Sequence, residues 1–180
     1  MFYLLHFPLE KVKIIFLMAE VFLSLGSNIG DRASYLAQAV VEISIHTGLV
    51  IKQSALYETA AWGFVSQAFL NQIILIKTTL LPENLIISCL EIERKLGRQR
   101  VSDSGYSPRV IDIDVLFYNN LVYSSPSIEV PHPLLHERRF VLVPFCEIAP
   151  KFIHPVLNKS VSDLLNECPD LSAVELFSSV

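Results

Sequence analysis

The stretch EIERKLGRQRVSDSGYSPRVIDIDV, running from Glu91 to Val115, joins the end of one helix to the start of one strand. Ahead of it Pro82 stands where proline is tolerated, in the first turn of a helix. Leu85, Cys89, Ile92 and Leu96 then fall on one helical face, and Gly97 stops the helix. Three arginines follow, Arg98, Arg100 and Arg109. Val110 to Tyr118 reads as a strand. Ile111, Ile113, Val115 and Phe117 should share its core face, and Asp112 and Asp114 the other, their Cα atoms ~7 Å apart. Arginines favour phosphate, and paired carboxylates favour a divalent cation. Together they describe a polyphosphate-metal site with Glu93 at its helical edge. Blander readings stay open: a solvated sheet face for the aspartates, and helix-dipole complementation for Arg98 and Arg100.

Working outward, Val21 to Leu25 is a short buried strand ending at Gly26. GSNIGD forms a loop, with Asp31 placed to cap a helix from Ser34 to His46. Leu49 to Tyr57 is a second strand and Phe69 to Thr79 a third. The order strand, helix, strand, strand, helix, strand predicts an α+β fold with a ferredoxin-like βαββαβ core. Its sheet should be antiparallel, with helices packed on one face and the other face open to carry a site. A C-terminal extension follows, with short helices expected over Val141 to Ile148 and Ser162 to Cys168.

At 180 residues, one domain is the natural division, here 18–180. Apolar residues make up 52% and charged residues 18%, and the formal charge is −4. That balance argues against disorder and against a nucleic-acid partner. Cys89, Cys146 and Cys168 show no metal-binding spacing and read as buried thiols in a reducing, cytoplasmic compartment. Residues 1–17 form an apolar but interrupted N-terminal extension of unassigned role. It is too broken for a membrane span, and its lysines lie inside the apolar run rather than before it.

Other candidates sit outside the opening stretch. His132 is held between Pro131 and Pro133, with Arg138 and Arg139 close behind, and is a candidate phosphate contact. Asn71, inside an apolar strand, needs a partner if buried. Its amide suits the edge of a heterocycle, and Trp62, Phe69 and Phe140 could sandwich a flat ring or simply fill the core. No G-x-x-x-x-G-K-[ST] and no G-x-S-x-G occurs, which excludes a P-loop and disfavours a serine hydrolase. On these residues alone, a nucleotide-binding regulatory module and a different metal-dependent transferase remain alternatives.

LGSNIGDR (25–32), YETAAWG (57–63), FLNQ (69–72), EIERKLGRQR (91–100), PRVIDIDVLFY (108–118) and VPHPLLHERRFVLVPFCEIAP (130–150) resemble, in order and spacing, the 6-hydroxymethyl-7,8-dihydropterin pyrophosphokinases of folate biosynthesis. The resemblance runs from about Met18 to Val161. It implies transfer of pyrophosphate from ATP to the hydroxymethyl oxygen of the dihydropterin, with release of AMP. It implies two Mg²⁺ ions on Asp112 and Asp114, and catalytic roles for those aspartates with Arg98 and Arg100. ATP would meet Glu93, Arg98, Arg100, Tyr106, Arg109, His132 and Arg138. The pterin would meet Thr59, Ala60, Trp62, Phe69, Asn71, Asp112 and Phe140, with Asp112 a candidate acceptor of the hydroxymethyl proton. Gly97 to Ser107 would be a mobile loop. ATP and the dihydropterin would be the partners, with no membrane, and other folate-pathway enzymes are candidate associates. The chain departs from the family pattern at Tyr106-Ser107, where Trp-Gly is common, and at Ala60, where proline is common.

Overall fold

Ala19–Ser27 (β1) is buried on both of its faces, which makes it a central strand. In the computed structural model, which describes residues 18–60, 67–98 and 109–178, it is flanked by two antiparallel neighbours. One is β4 (Phe69–Thr78) and the other β5 (Asp112–Tyr118). The far edge of β4 takes β2 (Leu49–Gln53) and β3 (Tyr57–Thr59) in succession. β8 (Val174–Leu176) then pairs with the outer edge of β3.

α1 (Arg32–His46) and α2 (Pro82–Lys95) cover one sheet face. Leu36, Ala39 and Ile43 of α1, with Leu85, Cys89 and Ile92 of α2, pack on Val21, Leu23 and Leu25 of β1. This is the expected ferredoxin-like arrangement. Asp31 caps α1, its carboxylate accepting from Ser34 N at 3.0 Å. Gly97 ends α2 at φ +98°, a conformation glycine adopts cheaply. Gly97 N donates to Arg94 O and Arg98 N to Glu93 O, which closes the last turn and turns Arg98 back toward the sheet.

Three features differ from expectation. The strand expected over Leu49 to Tyr57 is broken into β2 and β3. Ser54 N and Oγ both bind the Ile73 backbone, and residues 54 to 57 then span only 73 to 71 on β4, which forces a bulge. Phe117 does not share the face of Ile113 and Val115. Leu23 pairs with Val115 and Phe22 with Phe117, so Leu116 is an extra residue and the alternation slips. Leu116 and Phe117 both enter the second core.

The third difference concerns the opposite sheet face, which is only partly free. The C-terminal extension lays α3 (Arg139–Ile148) and α4 (Val161–Glu167) on it. Val141, Leu142, Phe145, Val161 and Leu164 bury Phe22, Leu75 and Phe117 there. Each fully buried Phe contributes about 2–3 kcal/mol. A small hairpin, β6 (Tyr123–Ser124) with β7 (Glu129–Val130), leads into this region.

Along this face the rows change character. Phe22, Leu75 and Phe117 form the covered apolar end. Ser24 lies beside Asp114, and Gly26 lies between Asn71 on β4 and Asp112 on β5. That polar end is the part left open. Among the described residues no helix is long and apolar enough to cross a membrane.

Candidate active site

The open end of the sheet is the floor of a cleft of about 270 Å³. β3 supplies Thr59 and then Ala60, β4 supplies Phe69 and Asn71, and β5 supplies Asp112 and Asp114. Glu93 and Arg98 come from the end of α2, and Arg109 from the approach to β5. His132, Arg138 and Phe140 close the side nearest α3. Trp62, Arg100 and Tyr106, also expected here, lie outside the described residues, as does most of the expected mobile loop Gly97 to Ser107.

The charged end is organised around Glu93, which is only 2% exposed. Its Oε1 accepts from Ile113 N at 2.8 Å and pairs with the Arg98 guanidinium. Arg98 also pairs with Asp112, and Arg109 grips the other oxygen of the same carboxylate. Arg98 is therefore turned onto acidic side chains of the cleft rather than onto the α2 carbonyls. Arg109 is placed by Asn28, whose Oδ1 accepts from Arg109 N at 2.7 Å and whose N donates to Arg109 O at 3.1 Å. Asn28 is fully buried, a placement that its sequence context does not reveal.

Asp114 opens to the cleft but is surrounded by protein. Burial pushes its carboxyl up to about 7, with Asp112 and Glu93 adding to the rise and Arg138 and Arg109 opposing it. His132 moves the other way, to about 4, through burial and the nearby Arg138. Its Nδ1 accepts from Leu134 N at 3.2 Å, and its backbone N donates to the carbonyl of the bulged Leu116 at 2.9 Å. Between pH 6.5 and about 4 the unfolded chain binds a proton that native His132 refuses. This group's contribution to stability is therefore full above pH 6.5 and is lost as the pH falls toward 4. His132→Gln is expected to flatten part of that fall, measured as urea midpoints at pH 7 and pH 5. An unchanged slope would count against a buried neutral imidazole.

The uncharged end is built on Asn71, 3% exposed, whose Nδ2 donates to Thr59 Oγ1 at 2.9 Å. This is the partner that a buried asparagine requires. Phe69 lines the cleft beside it, and across from it the Phe140 ring lies under the Arg138 guanidinium at 5.8 Å. Two further residues fasten this end from outside. Glu147 accepts from Ala55 N and from the Tyr57 hydroxyl, the latter at 3.1 Å, tying α3 to β3. Arg32 pairs with Glu58 at 2.6 Å and donates to Ala68 O at 2.7 Å. Neither contact was legible, because each joins residues distant in the chain.

A divalent cation fits the donor set. Two carboxylates project from one strand face, and burial, with Asp112 beside it, raises the Asp114 carboxyl. Among the described residues no three His, Cys, Asp or Glu side chains gather into a cage. Mg²⁺ asks for no such cage, since it takes one or two carboxylates together with phosphate oxygens and waters.

Residues 22–150 match the family model of 7,8-dihydro-6-hydroxymethylpterin-pyrophosphokinase (HPPK). The chain belongs to that family. An HPPK-type enzyme of Aquifex aeolicus, named 2-amino-4-hydroxy-6-hydroxymethyldihydropteridine pyrophosphokinase, is 40% identical over 151 residues, covering 83% of this chain and 92% of its own. One of the same name from Methylorubrum extorquens is 46% identical over 138 residues, 76% of this chain and 86% of its own. A folic acid synthesis protein of Pneumocystis carinii is 39% identical over 83% of this chain, which spans only 20% of that protein. Among solved structures, a Plasmodium falciparum HPPK-DHPS shares the fold with TM-score 0.65 at 17% identity, over 83% of this chain and 44% of that one.

Proposed function

We propose that the cleft binds ATP at its charged end and 6-hydroxymethyl-7,8-dihydropterin at its Asn71 end, and that transfer occurs where they meet over Asp112 and Asp114. The activity is pyrophosphoryl transfer from ATP to the hydroxymethyldihydropterin, a step of folate synthesis. The carrying observation is the register of β1, which sets Asn71 and Asp112 on opposite sides of Gly26 on one face.

The hydroxymethyl oxygen forms a bond to the β-phosphorus, the bond from that phosphorus to the α-β bridging oxygen breaks, and AMP leaves. Such displacements need in-line positioning and neutralised charge more than covalent help. Arg98, Arg109 and Arg138 line the charged end and present guanidinium groups to the phosphates. To do so Arg98 and Arg109 exchange Asp112 for phosphate, which frees that carboxylate. Arg100 and Tyr106 join them in our reading by family resemblance alone. Asp112 and Asp114 would hold two Mg²⁺, which when bound would neutralise charge on the phosphate oxygens. In this reading Asp112 also accepts the hydroxymethyl proton. Neutral His132 donates to ATP through Nε2, because its Nδ1 already accepts a backbone N–H. Asn71 and Thr59 bond the pterin edge, while Ala60, Phe69 and Phe140 form its walls, joined by Trp62 on the family resemblance alone. A different transferase built on the two aspartates would leave the Asn71–Thr59 pair without a ligand.

We also read residues 18–180 as one domain, with residues 1–17 as an extension of unassigned role. A reducing, cytoplasmic setting accords with three free cysteines, although Cys146 is half-buried rather than buried. The much longer Pneumocystis carinii relative supports other folate-synthesis enzymes as partners.

Product analysis tests the reading. With ATP, Mg²⁺ and 6-hydroxymethyl-7,8-dihydropterin, AMP is expected to appear one-for-one with the pterin pyrophosphate. ADP as the product, or turnover indifferent to the pterin, would sink it.

A further inference from the structure

The family match ends at residue 150, yet the chain beyond it reaches both walls of the pterin end. Asp170 Oδ2 accepts from Arg139 N at 3.1 Å, at the start of α3 and between Arg138 and Phe140. Four residues later β8 begins, and it pairs Val174 with Thr59, Glu175 with Glu58 and Leu176 with Tyr57. Phe177 N then donates to Leu56 O at 2.9 Å. The Phe177 ring packs on the first core with the Arg32 guanidinium 5.9 Å above it. Arg32 is the same side chain that holds Glu58 and Ala68 O.

β3 is only three residues long and its ladder to β4 is correspondingly short. Without β8 it would be an edge strand carrying a substrate-facing threonine, and short edge strands fray. The start of α3 likewise has an N–H group that the helix itself cannot satisfy, and Asp170 satisfies it.

We infer that residues 170–177 act as a strap that positions the pterin walls, Asp170 fixing Phe140 and β8 fixing Thr59, without touching the substrate. The inference rests on the assignment of Thr59 and Phe140 to the pterin. The strap's residues are positioning residues, so their loss changes the fit of one substrate and spares the other.

The test is steady-state kinetics on full-length Asp170→Ala, Asp170→Asn, Phe177→Ala and Glu175→Pro, with Asn71→Ala alongside. Proline at 175 removes a ladder N–H from β8. Losing one or two such hydrogen bonds corresponds to a rise in the pterin KM of about fivefold to tenfold. The ATP KM and kcat are expected to stay within about twofold, as uniform binding loss for one substrate requires. Asp170→Asn keeps a carboxamide oxygen that can accept from Arg139 N, and is expected to recover most of the loss. Urea unfolding checks that each variant is folded. Should Glu175→Pro or Phe177→Ala fail to fold, the Asp170 pair still decides. If Asn71→Ala raises the pterin KM and folded strap variants do not, the strap is overturned. An equal rise in both KM values, or no recovery in Asp170→Asn, also overturns it. If Asn71→Ala leaves the pterin KM unchanged, the site assignment itself has failed.

Discussion

Asp114→Asn is expected to abolish turnover and, above pH 7, to leave the protein more stable than wild type. Burial and the neighbouring Asp112 hold the Asp114 carboxyl up to about 7. The unfolded chain releases that proton near the ordinary aspartate value, about 3.9. From there to pH 7 the native state keeps a proton that the unfolded state has lost, so this group's contribution to stability falls as the pH rises. Asparagine has the same shape and no charge to bury. Its advantage should be absent below pH 4, grow through the window and level off above pH 7. Turnover should nonetheless drop by about a thousandfold, because the carboxylate serves charge that develops in the transition state. Asp112→Ala is expected to lose turnover similarly, but with the opposite stability sign, since it strips a carboxylate from Arg98 and Arg109. Urea unfolding from pH 4 to pH 8 and kcat at saturating Mg²⁺ check both. Retention of more than a tenth of wild-type kcat in Asp114→Asn would remove it from the metal set. Lost stability at pH 8 would mean that burial is not what raises its pKa.

Glu93→Ala carries the second large effect. The change leaves Ile113 N–H without its acceptor and one side of Arg98 without its carboxylate, in a place 2% open to solvent. Stranding a buried donor and a partly buried cation costs about 2–4 kcal/mol. The ATP KM should rise as well, because Glu93 sets both Arg98 and the start of β5. Glu93→Gln separates these effects. Its amide oxygen can still accept from Ile113 N, so most of the stability should return, while Arg98 keeps only Asp112 as a charged partner and the ATP KM stays high. Chemical denaturation together with ATP titration of the rate measures the two. Equal stability of the Ala and Gln variants would show that the Ile113 bond contributes nothing.

The elements that could be read from sequence were those whose signals are local. Gly97, the Asp31 cap, the Pro82 start and the alternation from Asp112 to Val115 each depend on a few adjacent residues. The slip at Leu116 depends on what β1 presents opposite, so no property of IDIDVLFY reveals it. The break at Ser54 likewise depends on Ile73 across the ladder. β8 is three residues long and owes its existence to the unpaired edge of β3. Within the cleft, residues with unusual chemistry for their surroundings were legible: aspartates on a strand, an asparagine in an apolar run, arginines after a helix stop. Those that hold them were not. Asn28, Arg32, Glu147 and Asp170 are ordinary polar residues until the fold brings their partners, and the partners that hold the cleft lie between 26 and 92 residues away in the chain.

Gly26 stands between Asn71 and Asp112 with no side chain of its own, so those two residues are separated by two inter-strand steps, ~10 Å. The distance between the two substrate ends is thus a property of the backbone ladder and not of any rotamer. A Cβ at 26 would meet Asn71 Oδ1 at 3.6 Å, ordinary contact, so crowding by the protein does not by itself require glycine there. The site behaves like a gauge with fixed jaws. Side chains around it can move while the strand spacing that separates Asn71 from Asp112 stays constant.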